Sequence, residues 1–181
     1  QTTAAWVLQM IEAGNNQFYK YVDQTTYILD PISGEKKKKK GQELEIKLNH
    51  FNSNKCVYKN DEICLIDIGD GVLCAEFKSK YNAIGEGILK GLQESIQIAE
   101  NQNWNGLVIG NNATNFTVGA NLMLIGMLAF QQEYDQLDMA VRIFQQTSMR
   151  CRYSSIPVVA ATQGYVFGGG VELLMHCDAA F

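Results

Sequence analysis

The sequence holds only two prolines, two histidines and two tryptophans, has no Cys-x-x-Cys pair, and nowhere runs apolar for the length of a membrane span. Each shortage excludes something. A spanning helix needs about 20 predominantly apolar residues, so no membrane span is expected. The first residues, QTTAAWVLQM, lack the basic-then-apolar order of a secretory signal. His50 and His176 lie far apart, and Cys56, Cys64, Cys74, Cys151 and Cys177 are dispersed, so no metal-ligand spacing exists and no metal is expected. No phosphate loop ending in Gly-Lys-Ser/Thr and no Gly-x-Ser-x-Gly elbow occurs, which removes two common catalytic frames. Gly85-Glu-Gly87-Ile-Leu-Lys-Gly91 matches a dinucleotide fingerprint only loosely, because its glycines fall inside a helical pattern. Fifteen basic residues against nineteen acidic give a net charge of -4, against a generally basic nucleic-acid binder.

What is present is an ordinary globular composition, 46% hydrophobic over 181 residues. That length suits one domain with an appendage. An odd number of dispersed cysteines, with Cys64 and Cys74 inside apolar stretches, reads as free thiols in a reducing, cytoplasmic setting. The chain opens on Gln1 and stops within the run Cys177-Asp178-Ala179-Ala180-Phe181, which reads as a piece of something longer.

Two regions differ in composition, with a boundary expected near residue 54. Residues 1–54 carry seven lysines and six acids, a net of +1; residues 55–181 carry five lysines, three arginines and thirteen acids, a net of -5. The first region shows a short helical pattern (Ala5, Leu8, Ile11, ending at Gly14), then an alternating hairpin through Phe18–Val22 and Tyr27–Leu29. The turn signal Asp30-Pro31-Ile32-Ser33-Gly34 follows, then Lys36 to Lys40, then a polar linker over 49–54. The lysine run invites a nucleic-acid reading, but it lacks interleaved aromatics and sits beside Glu35, Glu43 and Glu45. It reads as a solvated strand or loop.

The second region is more regular. Residues 62–68 and 72–77 are strands joined by the tight turn Gly69-Asp70-Gly71. A helix from about Ile84 to Asn101 places Ile84, Ile88, Leu92, Ile96 and Ala99 on one face. A strand over 104–109, helices over 122–129 and 134–150, a strand over 157–161 and a helix over 170–175 complete an α/β order. His176 is expected in the last helical turn, complementing the helix dipole.

Two glycine-rich turns stand between strand and helix: Asn115-Phe-Thr-Val-Gly-Ala-Asn-Leu122 and Gly164-Tyr-Val-Phe-Gly-Gly-Gly-Val-Glu172. Backbone N–H groups at a helix start are unpaired, and glycine lets a ligand approach them closely. One N–H from each turn could hold a single carbonyl oxygen, an oxyanion hole whose donors are worth roughly 3–4 kcal/mol each in acyl chemistry. Glu172 beside the glycines is placed to move protons at the adjoining carbons. The plainer alternative is that the glycines permit close packing and Glu172 only stabilises the helix start.

The flanking residues carry a resemblance. Phe116-Thr-Val-Gly-Ala-Asn-Leu122 and Gly164-Tyr-Val-Phe-Gly-Gly-Gly-Val-Glu-Leu173, followed by Cys177-Asp178, resemble the two oxyanion segments of the enoyl-CoA hydratase/isomerase (crotonase) superfamily. Lys78-Ser-Lys-Tyr-Asn-Ala-Ile84 is similar to that family's loop bordering coenzyme A. The resemblance runs from about Asp61 to Phe181. Trp6 to Lys40 resembles the tail of a 3-hydroxyacyl-CoA dehydrogenase, and Gly69-Asp-Gly-Val-Leu-Cys-Ala-Glu-Phe77 is similar to bifunctional dehydrogenase/hydratase proteins.

The resemblance implies the first part of a crotonase-type ββα spiral over 55–181, preceded over 1–54 by a small helix-plus-hairpin segment closing a dehydrogenase-like region. It implies that the N–H groups of Ala120 and Gly169 hold a thioester oxygen, beside Gly119 and Gly168. Lys80, Tyr81 and Ala83 would border the coenzyme A arm, Val118 and Asn121 the acyl-pantetheine channel. Glu172 matches the first of two acid/base glutamates; the second has no counterpart here, so these residues alone are expected to be inactive. Asn121 stands where Asp is common. The implied activity is hydration of a trans-2-enoyl-CoA in fatty-acid β-oxidation, with double-bond isomerisation or non-catalytic acyl-CoA binding as alternatives. The acyl-CoA is the substrate, and NAD is implied only for the dehydrogenase region. The implied assembly is a homo-oligomer when intact, with no nucleic-acid partner.

Overall fold

The computed structural model describes residues 3–22, 25–31, 33–40, 46–51 and 53–181. The chain divides into two compact units, Gln1–Phe51 and Asn52–Phe181. Glu43 and Glu45, invoked above beside the lysine run, lie outside the described residues, as do Ile32 of the turn and Asn52 of the linker.

In the first unit, helix α1 (Ala5–Glu12) ends where Gly14 takes a φ of +77°, a left-handed conformation that glycine adopts without a Cβ penalty. Leu8 and Ile11, the apolar positions of its pattern, are about half exposed, and α1 buries no residue. Strands β1 (Tyr19–Val22) and β2 (Thr25–Leu29) pair antiparallel. Strand β3 (Lys36–Lys38) adds to the other side of β2 with all three lysines in solvent. The turn between them closes through Gly34 N–H to Asp30 O (2.8 Å), with Lys37 paired to the Asp30 carboxylate.

The second unit is built on one six-stranded sheet ordered β4-β5-β6-β7-β8-β9. The strands are β4 (Cys56–Lys59), β5 (Ile63–Gly69), β6 (Val72–Phe77), β7 (Gly106–Gly110), β8 (Val158–Ala160) and β9 (Ala179–Ala180). The first three run antiparallel in sequence, and from β6 onward neighbouring strands are parallel. Parallel neighbours need a crossover, supplied by helix α2 (Glu86–Asn101) and by α3 (Leu122–Phe130) with α4 (Tyr134–Arg152). The short helix α5 (Gly169–Leu174) precedes β9.

The core lies between the sheet and α2. Ile63, Leu65, Leu73, Ala75, Leu107, Ile109 and Val158 meet Ile88, Leu92, Ile96 and Ala99, all buried. The 3.6-residue period of α2 and the two-residue period of the strands supply these two matching faces. Gly87 and Gly91, glycines of the rejected dinucleotide pattern, sit within α2, where Gly91 faces the Ile63 side chain. Helix α2 is tied to α4 by Glu100, whose carboxylate accepts from Arg150 through both oxygens, from Ser154 Oγ (3.2 Å) and from the Ser155 N–H (2.8 Å).

The structure adjusts three expectations. Strand β4, which the periodicity did not announce, pairs with β5 through an irregular register between Cys56 and Tyr58. Residues in the expected linker form two short 3-10 turns, Leu48–His50 and Ser53–Lys55. His176 lies just past α5, its Nδ1 2.7 Å from the Glu172 carbonyl, so it serves the helix end from outside the last turn. No helix among the described residues is long and apolar enough to cross a membrane.

Candidate active site

The two glycine-rich turns leave the carboxyl ends of the parallel strands β7 and β8, the edge of an α/β sheet where ligands commonly sit. They are stitched together. Phe116 N–H donates to Gln163 O (2.8 Å), Thr117 N–H to Tyr165 O (3.3 Å), and Phe167 N–H to Thr117 O (3.2 Å). The loop before α2 joins them, with Ile84 N–H donating to Gly119 O (2.8 Å) and Asn121 N–H to Ile84 O (3.1 Å).

Buried Thr117 organises this junction. Its hydroxyl donates to Asn82 O (2.5 Å) and accepts from the Gly119 N–H (3.0 Å). Buried Asn82 donates through its amide to Asn115 O (3.1 Å). Gln163 and Asn115 hold the outer loops: Gln163 donates to Asn111 and Ala113, while Asn115 accepts from the Tyr165 N–H (3.0 Å). Gly119 has a φ of +89°, and a Cβ there would stand 2.5 Å from Phe167 O, so a side chain is excluded both by strain and by space.

Two of the donors that this bonding leaves unused stand near each other. Among the described residues, neither the Ala120 N–H nor the Gly169 N–H donates to a protein acceptor. They lie close together: a Cβ placed on Gly169 would be 3.5 Å from the Ala120 nitrogen and 2.7 Å from Cζ of Phe144. Gly170, next along, packs on the Thr117 methyl. The glycine run thus permits close packing at both positions, under Phe144 at Gly169 and against Thr117 at Gly170.

A cavity of about 490 Å³ opens beside Ala120. Its apolar wall comes from Leu89 of α2, Leu124 and Leu128 of α3, and Ala140, Ile143 and Phe144 of α4. Two carboxylates line it, Glu172 and Glu86, and Glu86 is paired with Lys90 at 2.5 Å. The Glu172 carboxylate has no hydrogen-bond or ion-pair partner among the described residues.

The expected site residues separate into groups. Ala120, Asn121 and Glu172 line the cavity, with Gly119 and Gly169 behind them. Asn121 also caps α3, its Oδ1 accepting from the Leu124 N–H (3.3 Å). Gly168 takes a φ of +46° at the start of α5. Lys80 and Tyr81 form an exposed turn, with the Lys80 ammonium 5.5 Å from the Tyr81 ring centre, and half-buried Ala83 follows. These three and Val118 are not among the residues lining the cavity. Thr117 and Phe144 were not singled out by sequence. The Thr-x-Gly spacing was the available sign of the first; nothing in the helical pattern of α4 marks the second.

A family model described as Enoyl-CoA hydratase/isomerase matches residues 67–181. The chain belongs to the enoyl-CoA hydratase/isomerase family. A Bacillus subtilis (strain 168) protein named "Probable 3-hydroxyacyl-CoA dehydrogenase" is 40% identical over 168 residues, covering 92% of this chain and 21% of that protein. A Rickettsia prowazekii (strain Madrid E) protein named "Putative fatty acid oxidation complex trifunctional enzyme" is 30% identical over 135 residues, covering 75% of this chain and 18% of its own length. The chain therefore spans about a fifth of the length of these curated relatives. Crystal structures of enoyl-CoA hydratases from Thermoplasma volcanium GSS1 (TM-score 0.58, 24% identity) and Bacillus halodurans (TM-score 0.61, 20% identity) share the fold. They cover 67% and 66% of this chain, which spans 48% and 49% of theirs. The chain thus shares the crotonase fold over about half the length of those structures.

Proposed function

We propose that the longer protein to which this chain corresponds is an enoyl-CoA hydratase of fatty-acid β-oxidation, joined to a 3-hydroxyacyl-CoA dehydrogenase. The observation that carries the reading is the pair of unused donors, Ala120 N–H and Gly169 N–H, beside a cavity that also presents Glu172. A thioester oxygen bound between the two N–H groups gains charge as water adds to C3, and preorganised donors stabilise that charge without reorganisation. Glu172 moves the proton as general acid and base. Glu86 is less suited, since Lys90 already engages its carboxylate. Hydration uses a second proton carrier, and the reading places it in the part of the longer protein that these 181 residues do not span.

Further support comes from the Bacillus subtilis relative. Its alignment of 168 residues is too long to fit within Asn52–Phe181, so it extends into the first unit, as a dehydrogenase-linked arrangement requires. NAD does not fit the residues present. The glycines that loosely match its fingerprint belong to α2 and its cap, and a Cβ on Gly87 would press on the Glu62 side chain. No step is therefore assigned to NAD here, and the hydratase reaction needs no resident cofactor. The same reading makes the intact enzyme a cytoplasmic homo-oligomer acting on acyl-CoA thioesters.

The test is crotonyl-CoA hydration by the full-length protein and by Glu172→Gln. We expect the substitution to lower kcat by about 10²–10⁴-fold, the usual worth of a positioned acid/base group. An unchanged rate refutes the role of Glu172. Turnover of 3-enoyl-CoA without hydration would assign the isomerase reaction instead, and thioester binding without turnover a non-catalytic domain.

A further inference from the structure

We propose that Cys56 and Cys64 form a reversible oxidation site, in which a small-molecule disulfide closes a cross-strand bond between β4 and β5. The sequence separates these cysteines by eight positions and gives no pairing motif. The fold brings their sulfurs to 3.4 Å, both half-buried and neither in a disulfide. In the ladder Cys56 faces Ile66, two positions from Cys64, and the irregular register between Cys56 and Tyr58 accompanies this diagonal approach. Diagonal neighbours on one sheet face normally stand about 7–8 Å apart, so the two side chains lean toward each other to bring the sulfurs into contact.

The other cysteines are placed differently. Cys74 and Cys151 are buried at 2% and 1% exposure. Burial pushes both thiols up to about 12, and Cys177 up to about 11. Cys64 is also pushed up to about 11, first by burial and then by its hydrogen bond with Cys56. Thiolate is the attacking species in both steps, so the second step rests on the contact that already holds the Cys64 sulfur against Cys56.

The chemistry balances with a dialkyl disulfide such as oxidised glutathione as oxidant. Cys56 gives up its proton, and its sulfur forms a bond to one sulfur of the small disulfide, expelling the other as a thiol. The Cys64 sulfur then attacks Cys56, loses its proton, and expels the second small thiol. Two protein thiols are oxidised, one small disulfide is reduced, and both protons end on the small thiols. The bond fastens β4, at the start of the second unit, to β5, its one neighbour in the sheet among the described residues.

The experiment oxidises the native chain with oxidised glutathione, blocks remaining thiols in denaturant, and maps peptides by mass spectrometry without reduction. The expected result is one intrachain link between Cys56 and Cys64, lighter by two hydrogen atoms and reversed by dithiothreitol, with Cys74, Cys151 and Cys177 alkylated. Cys56→Ser and Cys64→Ser should each abolish the link, while Cys74→Ser keeps it. A chain oxidised after unfolding should give mixed pairings. Alkylation of both Cys56 and Cys64 in the native sample, a dominant Cys64–Cys74 link, or the same mixture as the unfolded chain would overturn the proposal. Mapping of the unsubstituted protein decides even where a serine variant does not fold.

Discussion

The two units share one chain but hold themselves together differently. In Asn52–Phe181 a mostly parallel sheet is covered by α2, and its central strand β7 places Leu107 and Ile109 at 1% and 0% exposure. In Gln1–Phe51 the helix buries nothing and β3 is three exposed lysines, leaving Thr26, Leu29 and Leu48 as its buried residues among those described. Burial is what converts an apolar pattern into free energy, so a good pattern without a partner surface contributes little. The candidate site follows the same division. Its donors are backbone groups held by loops at the end of a rigid sheet, and only the second unit offers such a frame.

This contrast can be tested from its strong side first. Leu107→Ala should cost about 3–4 kcal/mol in chemical denaturation, because the cavity left between sheet and helix cannot collapse. A loss under about 1 kcal/mol would show that the second unit does not depend on that layer. A smaller effect concerns Glu100. Hydrogen bonding from Arg150, then from the Ser155 N–H, holds its carboxyl down at about 2 from an ordinary 4.5. A depressed carboxylate contributes stability that is complete above its unfolded value and is lost as pH falls through the folded one. Stability should therefore decline from about pH 4.5 toward about pH 2, by roughly 1–2 kcal/mol, and Arg150→Met should flatten that part of the curve. Denaturation midpoints across that range in both proteins measure it, and identical curves would remove the pair from the account. The smallest effect belongs to the first unit. Leu8→Ala, at a position 49% exposed, should change stability by less than about 0.5 kcal/mol. A cost of a core truncation there would mean that α1 is buried in the intact protein.

Much of the site was legible because its signals are local. Glycines before a helix, a carboxylate in its first turn and an apolar strand ahead of each turn are all written within a dozen residues. The side chains that hold the turns together were less visible. Asn82, Thr117 and Gln163 act across separations of 33 to 52 positions, and each would pass as an ordinary loop polar residue. Phe144 was hidden for another reason. A helix period reveals which residues share a face but not what that face meets, and here it meets Gly169.

By itself the sequence determined the alternation of strands and helices in the second unit, the two open turns and the position of Glu172. Those features rest on backbone preferences and short-range periodicity. Only the tertiary structure decided that Ala120 and Gly169 stand side by side with unused N–H groups, and that β4 joins the sheet. It also decided that Cys56 touches Cys64. Strand register and helix packing set such meetings, and both depend on the burial of many residues at once rather than on spacing along the chain.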